Sequence, residues 1–176
     1  MAELKPNSDS RLALRDAPNE PWRDAEWQQL WLILRARPWT SLALIPAAPG
    51  APPDFTLTIA VTLARIGMLH LGTQIHVADA TRISLVHLEQ VTQEVRRLTQ
   101  DGELVLVALP TIEENPMSVS LARSTNGAVL CVLTGEMQTS QAKRTVEKVG
   151  ANQFVGSIVL HPSASSPHGM QGARAG

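Results

Sequence analysis

One stretch decides the fold of this chain: Pro46-Ala47-Ala48-Pro49-Gly50-Ala51-Pro52-Pro53-Asp54-Phe55. An apolar run, Ser41-Leu42-Ala43-Leu44-Ile45, comes directly before it, and a helical pattern over residues 56–71 follows it. Glycine and proline interrupt regular structure, so this stretch is predicted to be the turn that joins a strand to a helix. A strand, a short turn and a helix in this order form the repeating unit of an alternating α/β fold.

The rest of the chain repeats this alternation. Helical patterns separate five apolar runs that have the length of strands, and these runs cover residues 42–46, 74–78, 104–109, 128–133 and 156–160. Most of them are too continuously apolar to have one face in water, which is typical of parallel strands covered by helices on both sides. The pattern therefore predicts an α/β fold with a mostly parallel central sheet of about five strands.

An amphipathic helix is predicted before the first strand. Asp24 is suited to cap its N-terminus. Four apolar residues then recur at helical spacing on one face: Trp27, Leu30, Trp31 and Leu34. Gly72 is expected to end the helix that follows the first strand, because glycine adopts the left-handed conformation of a C-terminal cap.

Length and composition indicate one domain with two tails. The 176 residues are 44% hydrophobic, which is sufficient for one sizeable core. We expect a single α/β domain over residues 21–162, a flexible N-terminal leader over residues 1–20 and a disordered C-terminal tail over residues 163–176.

Charge and cysteine content restrict the classes of function. The 15 Lys and Arg residues nearly balance the 16 Asp and Glu residues, and the net charge of −1 argues against nucleic-acid binding. Cys131, the single cysteine, cannot form an internal disulfide and is expected to be buried in a reducing compartment. No apolar stretch reaches the roughly 18 residues of a membrane span, and no secretory signal precedes the domain. The sequence predicts a cytoplasmic protein without direct membrane insertion.

The turn after the first strand has the location of a phosphate-binding loop but lacks its chemistry. Such a loop needs glycines whose N–H groups surround phosphate, a lysine, and a Ser or Thr that binds Mg²⁺. Here Pro49, Pro52 and Pro53 each remove a backbone donor, and Asp54 adds a negative charge where phosphate would lie. No lysine occurs between Lys5 and Lys143. No cofactor is therefore predicted at the degenerate loop formed by Pro49, Gly50, Pro53 and Asp54.

These residues and their order resemble the cytoplasmic kinase domain of the bacterial tyrosine kinases for capsule and exopolysaccharide export, within the MinD/ParA group of P-loop ATPases. The resemblance covers residues 24–162. The family's first motif reads approximately A-A-P-G-E-G-K-S-T, and this chain keeps its first four residues at positions 47–50. The next five positions are Ala51, Pro52, Pro53, Asp54 and Phe55. The resemblance implies a three-layer, P-loop NTPase-like sandwich.

Two later motifs of the family are also altered. Asp79 matches the first carboxylate of an apolar strand that ends in D-x-D, and Thr81 replaces the second. Ala108 stands where the third motif has the aspartate that organises Mg²⁺. We interpret Asp79 and Ala108 as vestigial positions. Asp79 by itself is more typical of a turn residue than of a metal ligand.

The same losses predict that the chain is not an enzyme. Phosphoryl transfer depends almost entirely on positioned charge, and loss of one strong electrostatic contributor commonly costs about 2.7–4 kcal/mol of transition-state stabilisation. The lysine, the magnesium-binding hydroxyl and the aspartate of the third motif are all replaced, and the chain has no tyrosine to accept phosphate. The five histidines show no H-x-x-x-H spacing, and no G-x-S-x-G is present, so neither a metal site nor a hydrolase triad is predicted. We predict a pseudo-ATPase without catalytic residues.

Four tryptophans precede the first strand: Trp22, Trp27, Trp31 and Trp39. Packing of their helix on its own sheet explains them in the simplest way. Tryptophan is also enriched at the energetic centres of protein interfaces, so Trp22, Trp27 and Trp31 are candidates for contact with a partner.

The sequence favours a non-catalytic accessory or regulatory subunit. By resemblance, its partner would be a membrane-associated polysaccharide synthase or copolymerase, or a homologous subunit, and the chain would be peripheral at the inner membrane through that partner. A homo-oligomer is compatible with this interpretation. Two alternatives stay open: a weak, nucleotide-responsive switch of the MinD/ParA type that positions a secretion or envelope machine, and an enzyme of unrelated chemistry in the same sheet.

Overall fold

The computed structural model describes residues 24–135 and 139–161. Five helices and five strands alternate along these residues. The helices are α1 (Ala25–Arg35), α2 (Phe55–Leu71), α3 (Leu85–Gln100), α4 (Met117–Ser124) and α5 (Thr139–Val149). The strands are β1 (Ser41–Pro46), β2 (Ile75–Asp79), β3 (Leu104–Ala108), β4 (Gly127–Leu133) and β5 (Phe154–Leu160). The predictions for the leader over residues 1–20, for Trp22 and for the tail over residues 163–176 lie outside the described residues.

The strands form one sheet in the order β2-β3-β1-β4-β5. Every neighbouring pair is parallel, so the predicted α/β architecture is confirmed, with a sheet that is parallel throughout. β1 is central: Ser41 pairs with Val105 of β3, and Leu42 pairs with Gly127 of β4. Because all the strands are parallel, their carboxyl ends lie at the same end of the sheet. The order β2-β3-β1 makes the carboxyl ends of these three strands neighbours.

Helices cover both faces of the sheet. α1 and α2 pack over the face that carries Leu42 and Leu44, whereas α3, α4 and α5 cover the face that carries Ala43 and Ile45. All six residues of β1 are buried. This double coverage explains why the strand sequences are continuously apolar, and it confirms the predicted three-layer sandwich.

Local signals set the ends of the helices. The Asp24 carboxylate accepts a hydrogen bond from the Glu26 backbone N–H at 2.9 Å, as expected of an N-cap. Gly72 ends α2 with φ of +69°, a left-handed conformation that favours glycine. Among the helices of residues 24–135 and 139–161, none is long and apolar enough to cross a membrane.

Candidate functional site

A cavity of about 260 Å³ lies at the carboxyl ends of β1, β2 and β3, and we refer to it as the crevice. Its walls are Pro46, Ala51, Pro52, Pro53 and Thr56 on the β1–α2 side, Thr81 and Arg82 after β2, and Leu109, Pro110, Thr111 and Glu114 after β3. In parallel α/β sheets, ligands bind beyond the carboxyl ends of the strands. The crevice therefore has the location of a ligand site, and the degenerate loop forms one side of it.

The β1–α2 turn offers few amide hydrogens to a ligand. Pro49, Pro52 and Pro53 have none. The Ala47 N–H donates to the Cys131 carbonyl at 2.8 Å, and the Phe55 N–H donates to the Pro52 carbonyl at 2.9 Å. Gly50 keeps the left-handed bend, with φ of +98°. The turn thus keeps a sharp change of direction, while five of the nine positions 47–55 offer no free N–H group, because they are proline or already donate within the protein.

Thr56 is the hydroxyl residue of α2 that lines the crevice. It is buried, and its hydroxyl donates to the Leu109 carbonyl at 2.8 Å. This bond ties the start of α2 to the end of β3. Thr56 was not predicted as a site residue, although a threonine in the first turn of the helix that follows the loop was the available signal.

Asp54 and Asp79 both lie at the surface. Asp54 occupies the N-cap position of α2, but its side chain makes no capping hydrogen bond. The Asp79 carboxylate accepts from the Thr81 N–H at 3.0 Å and from the Thr81 hydroxyl at 2.7 Å. This is an Asx turn, a local structure that an aspartate forms without any metal.

Ala108 is fully buried at the end of β3. It pairs with Leu44 on one side and with Asp79 on the other, and its methyl group belongs to the apolar core under α2. A carboxylate at this position would need a cation or hydrogen-bond donors nearby, since burial of an unpaired charge is strongly unfavourable. Within residues 24–135 and 139–161, no three His, Cys, Asp or Glu side chains converge as metal ligands.

Arg82 provides a positive charge in the wall of the crevice, and Glu114 provides a negative one. Both side chains are exposed. Among the described residues, Arg82 has no ion-pair partner. Arg82 was not predicted as a site residue. It lies three residues after Asp79, and only the path of the β2–α3 connection brings it to the crevice.

The candidate contact tryptophans are separated by the structure. Trp31 is 1% exposed and packs edge to face against Trp39, with ring centroids 5.9 Å apart. The Trp39 indole N–H donates to the Leu34 carbonyl at 3.0 Å. Trp27 is half-buried and lines a groove beside β5. Trp31 is thus used by the protein's own core, and Trp27 is the candidate with accessible surface.

Cys131 lies in β4 directly beneath the turn. Burial raises the pKa of its thiol to about 12, against an ordinary value of 9.0. A neutral, buried thiol is a poor nucleophile. Cys131 therefore acts as a small apolar core residue, in agreement with the expectation from sequence.

Comparison with known proteins supports the fold. The BceF tyrosine kinase domain superimposes with a TM-score of 0.52 at 14% identity, covering 75% of this chain and 72% of that one. The chimerical protein CapA2B2 superimposes with a TM-score of 0.56 at 15% identity, covering 86% of this chain and 89% of that one. No protein-family model matches the sequence. No curated protein matches it either. At such low identity the likeness concerns the fold alone: this chain shares the parallel α/β architecture of these two structures.

Proposed function

We propose that this chain is a pseudo-ATPase, a cytoplasmic accessory or regulatory subunit that binds a protein partner and does not turn over nucleotide. The observation that carries the proposal is the β1–α2 turn. Pro52 and Pro53, which stand where the motif has glycine and lysine, lack N–H groups, and the N–H groups of Ala47 and Phe55 already donate to carbonyls. A triphosphate needs converging amides, a lysine and a hydroxyl that binds Mg²⁺, and in this turn Pro52, Pro53 and Asp54 stand where the motif has glycine, lysine and serine.

The remaining positions of the site support the same proposal. The Thr56 hydroxyl is bonded to the Leu109 carbonyl, and Ala108 stands in the apolar core where the related motif has a carboxylate. Asp54 would repel the phosphate groups. Together these features favour a surface that keeps the shape of a nucleotide-binding fold and uses it for protein contact.

The fold likeness to a tyrosine kinase domain suggests the setting of the proposed role. Together with the motif resemblance, it favours a partner in a bacterial polysaccharide synthesis or export assembly, such as a membrane-associated copolymerase or synthase. Co-purification of the chain with that class of partner, and loss of the complex with Trp27→Ala, would support this part of the proposal.

Isothermal titration calorimetry with ATP and Mg²⁺ tests the proposal directly. We expect no heat of binding at millimolar nucleotide and no phosphate release. A matched variant, Pro52→Gly/Pro53→Lys/Asp54→Ser, restores glycine, lysine and hydroxyl to the loop without changing the core. Nucleotide binding by the unmodified chain would contradict the proposal. Nucleotide binding by the variant alone would show that the residues of the loop are the cause of the lost binding.

A nucleotide-responsive switch of the MinD/ParA type is the second candidate. It is favoured by the persistence of the crevice and by the exposed Arg82 in its wall. Under this alternative, ATP binds weakly and the Arg82→Ala variant loses that binding. The same calorimetric titration separates the two candidates.

A further inference from the structure

β5 is an edge strand that has a bulge at Val155 but no charged residue and no proline. Among the described residues it pairs with β4 alone, so one side of its backbone has no partner strand. Proteins commonly protect such an edge with charged residues or proline, because a free edge can pair with another strand. The sequence of β5, Phe-Val-Gly-Ser-Ile-Val-Leu, contains neither. The opposite edge strand, β2, carries His76 and ends at Asp79. β5 is therefore the edge that is open to pairing.

The backbone groups on the free side of β5 can be assigned. The Leu160 carbonyl accepts from the Thr134 N–H at 2.9 Å and so points toward β4. Because backbone groups alternate along a strand, the N–H and C=O groups of Ser157 and Val159 point to the free side. Both residues are exposed, and Val159 is 51% exposed although it is apolar.

A groove of about 190 Å³ runs between this strand and α1, and we refer to it as the β5 groove. Glu26, Trp27 and Leu30 of α1 form one wall, and residues 157–160 form the other. Gly156 lies beside it with open space: a Cβ built on Gly156 meets no atom within 4 Å. The edge thus combines free hydrogen-bonding groups, an apolar wall and an unfilled position.

We propose that two copies of this chain associate through their β5 strands, paired antiparallel around Ile158. In this register Ser157 of each copy lies opposite Val159 of the second copy, and these residues exchange the hydrogen bonds of their free backbone groups. Gly156 then lies opposite Leu160 of the second copy in a non-hydrogen-bonded pair, where the Cα atoms approach to about 4.5 Å. The Leu160 side chain occupies the open space at Gly156.

The strand is complementary to itself, and this points to a second copy as the occupant. A two-fold interface requires that each contact be repeated in reverse, and pairing around Ile158 meets that condition with a small residue opposite a large one at both ends. β5 carries no charge that would select a charged partner. The β-bulge lies in β5: Val155 is an extra residue between Phe154 and Gly156, which pair with Ala128 and Val129 of β4, and this favours pairing over the regular part of β5.

The arrangement also gives a role to the half-buried Trp27. α1 of each copy lies on the same face of the joined sheet, so Trp27 and Leu30 border the junction from both sides. The joined sheet would have ten strands. This association does not depend on the proposed loss of nucleotide binding, because the crevice and β5 lie at different places on the sheet.

Sedimentation velocity of the full chain over the micromolar range tests the proposal. We expect a concentration-dependent dimer. Gly156→Val has room in the monomer but takes the space that Leu160 of the second copy needs. Val159→Lys places the lysines of the two copies at diagonally neighbouring positions of the paired strands, where their like charges repel each other. Each variant should raise the dissociation constant of the dimer at least about tenfold. The matched control is Val86→Lys, at a valine of α3 that is 84% exposed, and it should leave association unchanged.

Hydrogen exchange gives a second readout. The amides of Ser157 and Val159 should exchange quickly in dilute samples and slowly in concentrated ones, because these groups are free in the monomer and bonded in the dimer. A monomer at all concentrations would overturn the proposal. So would a dimer that Val159→Lys does not weaken, a dimer that Val86→Lys does weaken, or unchanged exchange at Ser157 on dimerisation. If circular dichroism shows that Gly156→Val does not fold, the comparison of Val159→Lys with Val86→Lys and the exchange data test the proposal.

Discussion

Asn126 connects the start of β1 to the turn before β4, and removal of its side-chain oxygen should destabilise the fold. Oδ1 accepts from the backbone N–H of Thr40 at 3.2 Å and from that of Ser41 at 2.9 Å. It also accepts from the hydroxyl groups of both residues. Because backbone N–H groups are fixed donors, the oxygen of the amide must face them. One atom therefore fixes where the central strand begins.

The expected magnitude follows from these contacts. Each of the two backbone hydrogen bonds contributes a net of about 0.5–1.5 kcal/mol. Ser41 is 3% exposed, so water reaches its N–H poorly, and leaving that group without a partner costs about 1–3 kcal/mol. Since the hydroxyl groups can reorient, we assign them little. The Asn126→Ala variant should lower the free energy of unfolding by about 2–4 kcal/mol.

Urea denaturation followed by circular dichroism measures this change. Asn126→Asp is the matched control, because aspartate keeps an acceptor oxygen at the same place and should stay within about 0.5 kcal/mol of the parent protein. An Asn126→Ala variant that also stays within that margin would show that Oδ1 does not stabilise the start of β1. Equal destabilisation by aspartate and alanine would show the same, since the acceptor oxygen would then not be the group that matters.

Three further predictions concern the core. Gly67→Ala should reduce the free energy of unfolding by about 1–2 kcal/mol in a urea titration, because the added Cβ would overlap Ile75 and the fixed ring of Trp31. The gain in helix propensity offsets only part of this loss of stability. Thr56→Val should lower it by about 1–2 kcal/mol through loss of the bond to the Leu109 carbonyl, whereas Thr58→Val at an exposed position of the same helix should stay within about 0.5 kcal/mol. Burial raises the pKa of the Cys131 thiol to about 12, so the unfolded chain loses that proton first, near 9.0, and stability should fall as pH rises through this window. Cys131→Ala should remove that part of the pH dependence, and a thiol-reactive dye at pH 8 should label the unfolded protein but not the native one.

Most of the fold could be predicted because its signals are local. Strand positions followed from apolar runs, and the ends of helices followed from residues such as Asp24 and Gly72. The start of β5 was placed at Gly156, but the strand begins at Phe154. A β-bulge opposite Ala128 and Val129 of β4 causes the difference, and a bulge depends on how two strands pair rather than on either sequence alone.

The candidate site was harder to predict, since its contacts join residues that are distant in sequence. Thr56 and Leu109 meet only because α2 and β3 converge at the crevice. Helical periodicity placed Trp27 and Trp31 on one face but could not distinguish their environments. Trp31 lies over Gly67, whose missing side chain makes room for the ring. Trp27 lies near the N-terminus of α1, beside β5. How deeply each tryptophan is buried therefore depends on the space that the neighbouring elements leave for its ring.

The residues that differ from a phosphate-binding loop also stabilise the turn without a ligand. A loop that binds phosphate keeps several N–H groups unpaired until the ligand arrives, and unpaired polar groups are unfavourable when buried. In this chain the N–H of Phe55 donates to the Pro52 carbonyl, and Ala108 needs no polar partner in the apolar core. Proline at positions 52 and 53 removes donors and restricts the unfolded chain as well. The same substitutions therefore oppose phosphate binding and favour an empty turn, so reinstating glycine and lysine in the loop should lower stability in the absence of nucleotide. If the Pro52→Gly/Pro53→Lys/Asp54→Ser variant proved as stable as the parent protein, this link between lost chemistry and retained fold would be wrong.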